Sequence, residues 1–393
     1  MTTEQIERYL SSHATPAYIF DIAELKQRVQ SLRSSLPAQA DLCYAMKANA
    51  FIVRELTECV PLFEVCSPGE YQICRALDIP PEMLVISGVS KTEADTEEMV
   101  RDMPGIRRYT VESERQLRML HAAGARHRRR LPVLLRLTSG NQFGLDREIL
   151  KKIIVQRDTL PWLDIEGIQF FSGTQKHSVK RLKRECDKLN ELLDELESES
   201  DYHAREVEFG TGFPVFYFRE EAFDEAEFLA DFSSMLLPLT LRTHVTLEIG
   251  RSIAASCGTY LTTVVDKKTN KKENYAILDG GIHHLVYYGQ TMAMKIPRWQ
   301  ILPARTADAA EESWNLCGSL CTINDLLVKQ LPVANLEIGD VFAFENAGAY
   351  SMTEGISLFL SRDLPAVSLM REDGNFDDVR PITATYPLNT PNY

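Results

Sequence analysis

The feature that most constrains the fold is an alternation of short apolar runs and amphipathic segments between about residues 41 and 250. Eight runs have the length and composition of buried strands, and all but the last are followed by a helical pattern. The strand candidates are DLCYAM, LFEVCS, LVISG, IRRYTVES, PVLLRLT, IEGIQFFSG, EVEFGTG and HVTLEIG. The helical candidates include IVRELTECV, GEYQICRAL, TEADTEEMVRDM, ERQLRMLHAAG, DREILKKIIVQ and SVKRLKRECDKLNELLDELE. Such alternation requires parallel pairing, and eight units close a (β/α)₈ barrel, with an open doubly wound sheet as the alternative.

The character of the sequence changes after Arg251. The segments TYLTTVVD, NYAILDGG, SWNLCGSLCTINDLLVKQ, DVFAFENAGAY and ISLFLSR are β-rich, separated by turns and poor in helical patterns. A chain of 393 residues is long enough for two domains. We therefore predict an α/β protein in which residues 26–250 form a TIM-like (β/α)₈ barrel and residues 251–393 form an all-β domain, a sandwich or small barrel. Residues 1–25 contain a further strand, PAYIFD, which we expect to join the β domain.

Composition and charge exclude several classes of partner. The net charge of −13 argues against a nucleic-acid surface, and no apolar stretch has the length of a membrane span, so we expect neither partner. The polar N-terminus MTTEQIERYL has the character of neither a signal peptide nor an anchor. Eight scattered cysteines form no CxxC pair with histidines at ligand spacing, so we predict no metal site. Thiols in this pattern favour a cytoplasmic protein.

A single lysine, Lys47, ends the apolar run CYAM. Burial at the end of a strand lowers the pKa of a lysine toward the neutral amine. The alternative is a snorkelling lysine, whose stem is buried and whose ammonium stays in water. Functional groups of a barrel gather at the carboxyl ends of its strands, and further polar or glycine residues hold such positions. They are Glu64, Gly173, Thr174, Gly210, Gly212, Glu248 and Arg251.

The turn GTGFP indicates a phosphate site, since glycine-rich turns after a strand expose backbone N–H groups to anions, although an ordinary tight turn has the same sequence. Thr174 and Arg251 would add a hydroxyl and a guanidinium as donors. The ordered motifs YAMKAN, FEVCSPGE, FSGTQ, GTGFP, LEIGR, LDGG, CGSLCTIND and ENAGAYS resemble the pyridoxal-phosphate decarboxylases of the alanine-racemase-like fold. That family includes the diaminopimelate and ornithine decarboxylases, and the resemblance runs from about residue 17 to 365.

The resemblance implies pyridoxal 5'-phosphate as the cofactor and a role for each matching residue. Lys47 would bond the aldehyde of the cofactor, a reaction that burial favours because it requires the neutral amine. Glu248 would hydrogen-bond the pyridine nitrogen and keep it protonated. Cys321, contributed by a neighbouring subunit, would return a proton to the carbon that loses its carboxylate, which implies a homodimer with shared active sites and a small amino-acid substrate. The phosphate would be held by Gly210, Gly212, Thr174, Arg251 and Tyr350, the cofactor would also contact Glu64 and Phe171, and the substrate side would include Asp279, Thr322 and Asp325.

The carboxylate of Glu248 also separates subclasses of this fold. The racemases are expected to have an arginine facing the pyridine nitrogen, which limits delocalisation of a carbanion, whereas a carboxylate favours full delocalisation and hence decarboxylation. The presence of both Lys47 and Cys321 argues against a non-catalytic decoy, since a decoy has no chemical use for either residue.

Four departures from the family pattern bear on the substrate. Phe171 stands where a histidine usually stacks on the cofactor ring, and Glu64 replaces an aspartate. Thr211 interrupts the glycine run, and Thr322 follows the cysteine at a position that is normally acidic. Losing that acid removes the obvious partner of a free distal ammonium. We therefore hypothesise a citrate-conjugated diamino acid as substrate, as in the carboxylate-siderophore branch of the family; the alternative is a free diamino acid such as ornithine, lysine or diaminopimelate.

Overall fold

A computed structural model describes residues 1–305 and 310–392 and divides the chain into two compact units. The barrel unit comprises Val29–Pro214 and Asp224–Ile253. The β unit comprises Met1–Arg28, Val215–Phe223 and the described residues from Ala254 onward. The domain boundaries predicted after residues 25 and 250 stay predictions. The units differ from them chiefly at 215–223, which belongs to the β unit because Phe218 forms a β-bridge with Pro297 there.

The N-terminal elements are α1 (Thr3–Leu10), β1 (Ala17–Asp21) and α2 (Ile22–Ser35). Thr2 caps α1 by accepting a hydrogen bond from the backbone of Gln5, whose side chain accepts one from Thr2 in return. Residues Ala17 to Phe20 are buried, so β1 is the apolar strand that the sequence indicates.

Eight parallel strands close into a barrel, which confirms the predicted (β/α)₈ architecture. Each strand is an almost continuous apolar run because a parallel strand in such a fold is covered on both faces. The strands are β2 (Ala40–Ala45), β3 (Leu62–Val65), β4 (Leu84–Ile86), β5 (Arg108–Val111), β6 (Leu131–Leu137), β7 (Leu163–Phe171), β8 (Glu206–Gly210) and β9 (His244–Ile249). The barrel closes where β2 pairs with β9, so the last strand lies directly beside the first.

Six helices of the barrel unit connect consecutive strands. They are α3 (Pro68–Ala76), α4 (Glu93–Asp102), α5 (Glu114–His127), α6 (Arg147–Val155), α7 (Val179–Ser200) and α8 (Glu225–Thr240). The prediction of a helix over IVRELTECV is wrong, because three short 3₁₀ turns follow β2 instead. Ile52 and Val53 are β-branched and fully buried there, and the side chain of Asn49 accepts a hydrogen bond from the backbone of Phe51, which favours a turn over a continuous α-helix.

The β unit is built on a nine-stranded mixed sheet in which β1 takes a central position. β1 pairs antiparallel with β10 and parallel with β16, so the residues of PAYIFD lie between strands from the later part of the chain. The other elements after β9 are α9 (Arg251–Ala254), β10 (Gly258–Asn270), β11 (Glu273–Leu278), β12 (Trp299–Leu302), β13 (Glu311–Cys317), β14 (Leu326–Ala334), β15 (Val341–Phe344), β16 (Ala366–Met370) and β17 (Phe376–Arg380). ISLFLSR is not a strand, because Leu360 and Ser361 adopt left-handed backbone conformations that break a ladder.

An ionic layer lies at the amino end of the barrel strands. Arg108, the first residue of β5, donates from Nη2 to Oε2 of Glu206 at 2.6 Å and from Nε to Oε2 of Glu166 at 2.9 Å. His244 adds a contact from Nδ1 to Oε2 of Glu206 at 2.7 Å. Arg108 and Glu206 are almost completely buried, so each charge depends on the other.

We expect Arg108→Met to lower the free energy of unfolding by about 3–5 kcal/mol, because it leaves the buried Glu206 carboxylate without its guanidinium. Arg108→Met combined with Glu206→Leu should recover most of this loss, since an apolar pair leaves no uncompensated charge. Urea denaturation followed by far-ultraviolet circular dichroism measures both values. A double variant no more stable than the single one would show that the layer contributes by some other means.

Candidate active site

Lys47 lies at the centre of a cluster of buried acids at the carboxyl end of the barrel. Its ammonium donates to Glu64 Oε2 at 2.5 Å and to Glu248 Oε1 at 3.1 Å, with the Cys66 sulfur 3.6 Å away. β2 pairs with both β3 and β9, and this register brings the three side chains together. The side chain of Lys47 is 35% exposed, whereas those of Glu64 and Glu248 are 3% and 5% exposed. The amine therefore faces the open end of the site, and the acids lie beneath it.

The two carboxyl groups have opposite pKa shifts. Burial, together with the nearby charge of Glu64, raises the pKa of Glu248 to about 7. Burial also acts to raise the pKa of Glu64, but the Lys47 ammonium and a hydrogen bond with Glu248 outweigh it, so the pKa of Glu64 is lowered. A proton that the pair binds as the pH falls through about 7 therefore lies chiefly on Glu248. Gln169 Nε2 donates to Glu248 Oε2 at 3.2 Å and orients this carboxyl group.

The turn at residues 210–212 requires glycine at two positions. Gly212 has φ +60°, and a Cβ there would lie 2.2 Å from the carbonyl oxygen of Gly173. A Cβ at Gly210 would lie 2.3 Å from Cδ2 of Phe171, so the phenyl ring packs directly against this glycine. Between them, the backbone N–H of Thr211 donates to the carbonyl oxygen of Glu248 at 3.3 Å. The turn is therefore fixed to the strand that carries the buried acid.

Arg251 and Thr174 complete the cluster in the barrel unit. Arg251 begins α9 directly after β9, is 7% exposed, and donates from Nε to Oγ1 of Thr174 at 3.2 Å. Thr174 lies in the loop after β7, beside the Gly173 carbonyl that contacts the glycine turn. The structure thus places eight of the predicted site residues at the carboxyl end of one barrel, and their individual roles stay predictions. The eight are Lys47, Glu64, Phe171, Thr174, Gly210, Gly212, Glu248 and Arg251.

The other predicted residues belong to the β unit. Cys321 is exposed, and the hydroxyl of Thr322 accepts a hydrogen bond from the backbone of Asn324 at 3.3 Å. Tyr350 has a left-handed backbone at φ +63° in the loop after β15. The roles of Cys321, Thr322 and Tyr350 stay predictions.

The two acids predicted on the substrate side are occupied by contacts within the β unit. Asp325 accepts backbone N–H groups of Ile282 and Leu320, both at 2.8 Å. Asp279 accepts a hydrogen bond from the hydroxyl of Thr262 at 2.6 Å and one from the backbone N–H of Thr263 at 3.0 Å. A contact with substrate, which stays a prediction for both, would compete with these hydrogen bonds.

Several residues of the site were not among the candidates that the sequence analysis named. Gln169, Cys66 and Lys176 contact the predicted residues but were not singled out by the sequence, and Glu208 lies deeper in the barrel. Glu208 precedes Gly210 by two positions on β8, so strand alternation places both on the same face. That period-two pattern in EVEFG was the available signal.

Glu208 is a buried acid without a partner. It is completely buried, and neither carboxyl oxygen has a hydrogen bond to any described residue. Burial, followed by the charges of Glu248 and Glu64, raises the pKa of Glu208 well above its ordinary value. The folded protein therefore holds Glu208 as a neutral acid.

Because the pKa of Glu208 is raised by folding, its contribution to stability is present below its unfolded pKa and is lost as pH rises toward the folded pKa. We expect Glu208→Gln, which is neutral at every pH, to be more stable than the parent at pH 8, with little difference near pH 4.5. The advantage should grow by at most about 1.4 kcal/mol for each pH unit. Calorimetric unfolding at a series of pH values measures this.

The matched control is Glu206→Gln on the same strand, which removes a partner of Arg108 and should destabilise the protein across this pH range. A constant difference between Glu208→Gln and the parent from pH 4.5 to 8 would contradict a neutral Glu208.

Three further properties hold for the residues that the structure describes. Within 1–305 and 310–392, no three histidine, cysteine or acidic side chains are grouped so that they could hold a metal ion. None of the helices in these ranges is both long and apolar enough to cross a membrane. All eight cysteines are free thiols.

Comparisons with known proteins match most of the chain. The sequence profile of a family described as "Pyridoxal-dependent decarboxylase, C-terminal sheet domain" matches residues 17–348. The diaminopimelate decarboxylase of Vibrio cholerae is 28% identical over 388 residues, covering 93% of this chain and 89% of that protein. The 2-[(L-alanin-3-ylcarbamoyl)methyl]-2-hydroxybutanedioate decarboxylase of Staphylococcus aureus is 28% identical over 382 residues, covering 90% and 94%. A crystal structure of a diaminopimelate decarboxylase mutant from Helicobacter pylori complexed with L-lysine shares the fold, with a TM-score of 0.86, 22% identity and 98% coverage of both chains.

Proposed function

Because the chain belongs to the pyridoxal-dependent decarboxylases and uses pyridoxal phosphate as its cofactor, we propose that it decarboxylates a citrate-conjugated diamino acid. Such a reaction would belong to the assembly of a carboxylate siderophore. The observation that carries the proposal of decarboxylation is the buried, proton-holding Glu248 beside the Lys47 ammonium and the glycine turn.

The residues at the carboxyl end of the barrel fit pyridoxal phosphate. Lys47 supplies an amine at the open side of the site, and Glu248 supplies a buried acid. Gly212 keeps its turn free of a side chain that the surrounding backbone could not accommodate, and Thr174 and Arg251 add donors for an anion. When bound, the pyridine ring of the cofactor accepts the electron pair that departing carbon dioxide leaves behind.

Glu248 and Lys47 would have different roles toward the cofactor. Glu248 would hold a proton at the pyridine nitrogen, a task that suits a carboxyl group with a pKa raised to about 7 by burial. Lys47 would bond the cofactor between turnovers and yield it to the amine of the substrate. Gln169 would keep the Glu248 carboxyl in a fixed orientation through its 3.2 Å hydrogen bond.

Cys321 is proposed as the proton donor to the substrate carbon, acting in the site of a partner subunit. Its thiol is exposed, and the adjacent Ile323 is 92% exposed, as expected of a loop that contacts a second copy of the chain. Arg362 ties this loop to the apolar segment 356–360 by donating to the carbonyl oxygen of Ser319 at 2.7 Å. The proposal is a homodimer, and the free thiols support a reducing compartment such as the cytoplasm.

The substrate proposal depends on Thr322. Its family position is normally an acid that would pair with a distal ammonium, and a threonine hydroxyl brings no charge to that position. In a citryl conjugate the distal nitrogen is an uncharged amide that bears carboxylates, so an acid here would repel the substrate. The name of the Staphylococcus aureus relative likewise describes an alanyl group joined through a carbamoyl group to a hydroxybutanedioate, which supports this class.

The first experiment is a substrate panel with the purified, cofactor-loaded protein. It compares ornithine, lysine, diaminopimelate, arginine and diaminopropionate with their citryl amides by carbon dioxide release and product mass. We expect at least one citryl amide to exceed its free amino acid in kcat/KM by at least about a hundredfold, the scale of a lost buried polar contact. Efficient turnover of free ornithine with none of a citryl amide would refute the substrate proposal.

Variants of Thr322 sharpen this test. Thr322→Glu should lower kcat/KM for the citryl amide by about tenfold or more, because it sets a carboxylate against the carboxylates of the substrate. The matched control, Thr322→Val, keeps the size without the charge and should change this value less than about threefold. Equal losses in both variants would mean that the hydroxyl matters and that charge at this position does not.

Shared active sites can be tested by subunit mixing. Lys47→Ala and Cys321→Ala homodimers should both be nearly inactive, and re-equilibrated mixtures should recover up to about a quarter of the parent activity in heterodimers with one intact site. Light scattering should give twice the 44.6 kDa chain mass. A mixture no more active than its components would place both residues in one subunit's site.

A further inference from the structure

Lys176 is a fully buried cation beneath the glycine turn. It lies in the loop between β7 and α7, and its side chain is 0% exposed. The ammonium of Lys176 donates to the carbonyl oxygen of Gly210 at 3.1 Å. The backbone N–H of Lys176 donates to the carbonyl oxygen of Gly212 at 2.8 Å. A buried lysine normally requires a strong reason to be retained, because desolvating an ammonium is costly.

We infer that Lys176 is a positioning residue for the phosphate of the cofactor, because it binds the carbonyl groups of Gly210 and Gly212 and places a positive charge behind the turn. The inference rests on the proposed binding of the phosphate at this turn. Nothing in the motifs of the sequence assigns such a role to Lys176.

The orientation of the backbone dipoles in the Gly210–Gly212 turn supports this role. A carbonyl oxygen pointing at a phosphate would repel it, whereas backbone N–H groups attract it. Lys176 binds the carbonyl groups of Gly210 and Gly212, which fixes the orientation of their peptide planes. Gln175 has φ +53°, and this left-handed residue turns the loop so that the next backbone N–H reaches Gly212.

The charged side chains around the turn also support this role. Lys176 shares the carboxylate of Glu185 with Arg181, at 2.7 Å from Lys176 Nζ and 3.3 Å from Arg181 Nε. Together with the nearby Arg251, three cations and one anion surround the turn, which leaves a net charge of about +2 to balance a phosphate monoester of about −1.5 to −2. Of these cations, Lys176 contacts the turn itself.

A third observation separates Lys176 from a simple surface ion pair. Its ammonium lies 5.3 Å from the ring centroid of Phe209 and 5.8 Å from that of Phe171. These rings exclude water and strengthen the field of the charge at the turn. A purely structural ion pair would stabilise the fold without distinguishing cofactor with phosphate from cofactor without it.

The test therefore compares pyridoxal phosphate with pyridoxal, which lacks the phosphate. Full-length protein freed of cofactor is titrated with each compound, and dissociation constants are read from absorbance and protein fluorescence. Lys176→Met leaves Glu185 its contacts with Arg181 and Ser172, so the fold should persist. We expect Lys176→Met to raise the dissociation constant of pyridoxal phosphate by about tenfold to a hundredfold, the scale of one lost hydrogen bond from a charged group. The dissociation constant of pyridoxal should rise by less than about threefold.

Two further variants keep the test decisive if Lys176→Met folds poorly. Lys176→Met with Glu185→Leu removes one cation and one anion and so leaves the net charge around the turn unchanged. It should still show a selective loss, because the carbonyl group of Gly210 is no longer bound by the ammonium. The matched control, Arg108→Met with Glu206→Leu, removes a buried ion pair at the opposite end of the barrel and should leave the ratio of the two dissociation constants unchanged. Equal weakening of both compounds by the Lys176 variants, or no weakening, would overturn the inference.

Arg251→Met separates this inference from the proposed phosphate site. One outcome is that Arg251→Met raises the dissociation constant of pyridoxal phosphate more than that of pyridoxal while the Lys176 variants do not. In that case the proposed phosphate site stands and the role of Lys176 is refuted. If neither residue affects the ratio, the phosphate does not bind at this turn and both proposals fail.

Discussion

The contact on which the rest of the site depends is the Lys47 ammonium between two buried carboxyl groups. It exists because the barrel closes: β2 lies between β3 and β9, which are distant in sequence, and each contributes one acid. Two carboxyl groups in a region of low dielectric cannot both be ionised cheaply, so one of them keeps a proton. The closure of the fold thus raises the pKa of Glu248 to about 7 and places this carboxyl group next to the amine of Lys47.

The interior of this barrel is unusually polar for a packed core. Along β8, Glu206 is neutralised by Arg108 at the amino end, and Glu208 in the middle stays neutral by keeping its proton. At the carboxyl end, Glu248 of the neighbouring strand shares a proton with Glu64. The charge of a buried acid is therefore avoided or balanced in a different way at each height in the barrel: by an ion pair, by a bound proton, or by a proton that two acids share. Buried charges cost more than apolar packing, so a polar upper level of this kind lowers stability, which is consistent with the role proposed for Lys47 and Glu248.

The sequence predicted the barrel and the position of eight residues at one end of it, because these depend on local periodicity and on the rule that strand ends converge. It did not predict that β1 lies in the middle of the mixed sheet. It missed Lys176 and Glu208, since nothing local marks a charged side chain in a loop or strand as buried. The IVRELTECV segment has helical periodicity, yet its fully buried β-branched residues form 3₁₀ turns. Asp325 matched a family motif, but motif order cannot show that its oxygens bind backbone N–H groups. Tertiary context decides all these cases.

The charges of the site also differ in sign between its two ends. One end carries two acids around a single ammonium, and the other carries Arg251, Lys176 and Arg181 around a single carboxylate. Pyridoxal phosphate has the complementary polarity, with a basic ring nitrogen at one end and a dianionic phosphate at the other. The 3.3 Å hydrogen bond from Thr211 to the Glu248 backbone ties the two ends together, so they cannot move independently. If pyridoxal phosphate binds here as proposed, the reversed orientation would set its phosphate against Glu64 and Glu248, so the electrostatics of the barrel would favour the orientation with the phosphate at the glycine turn.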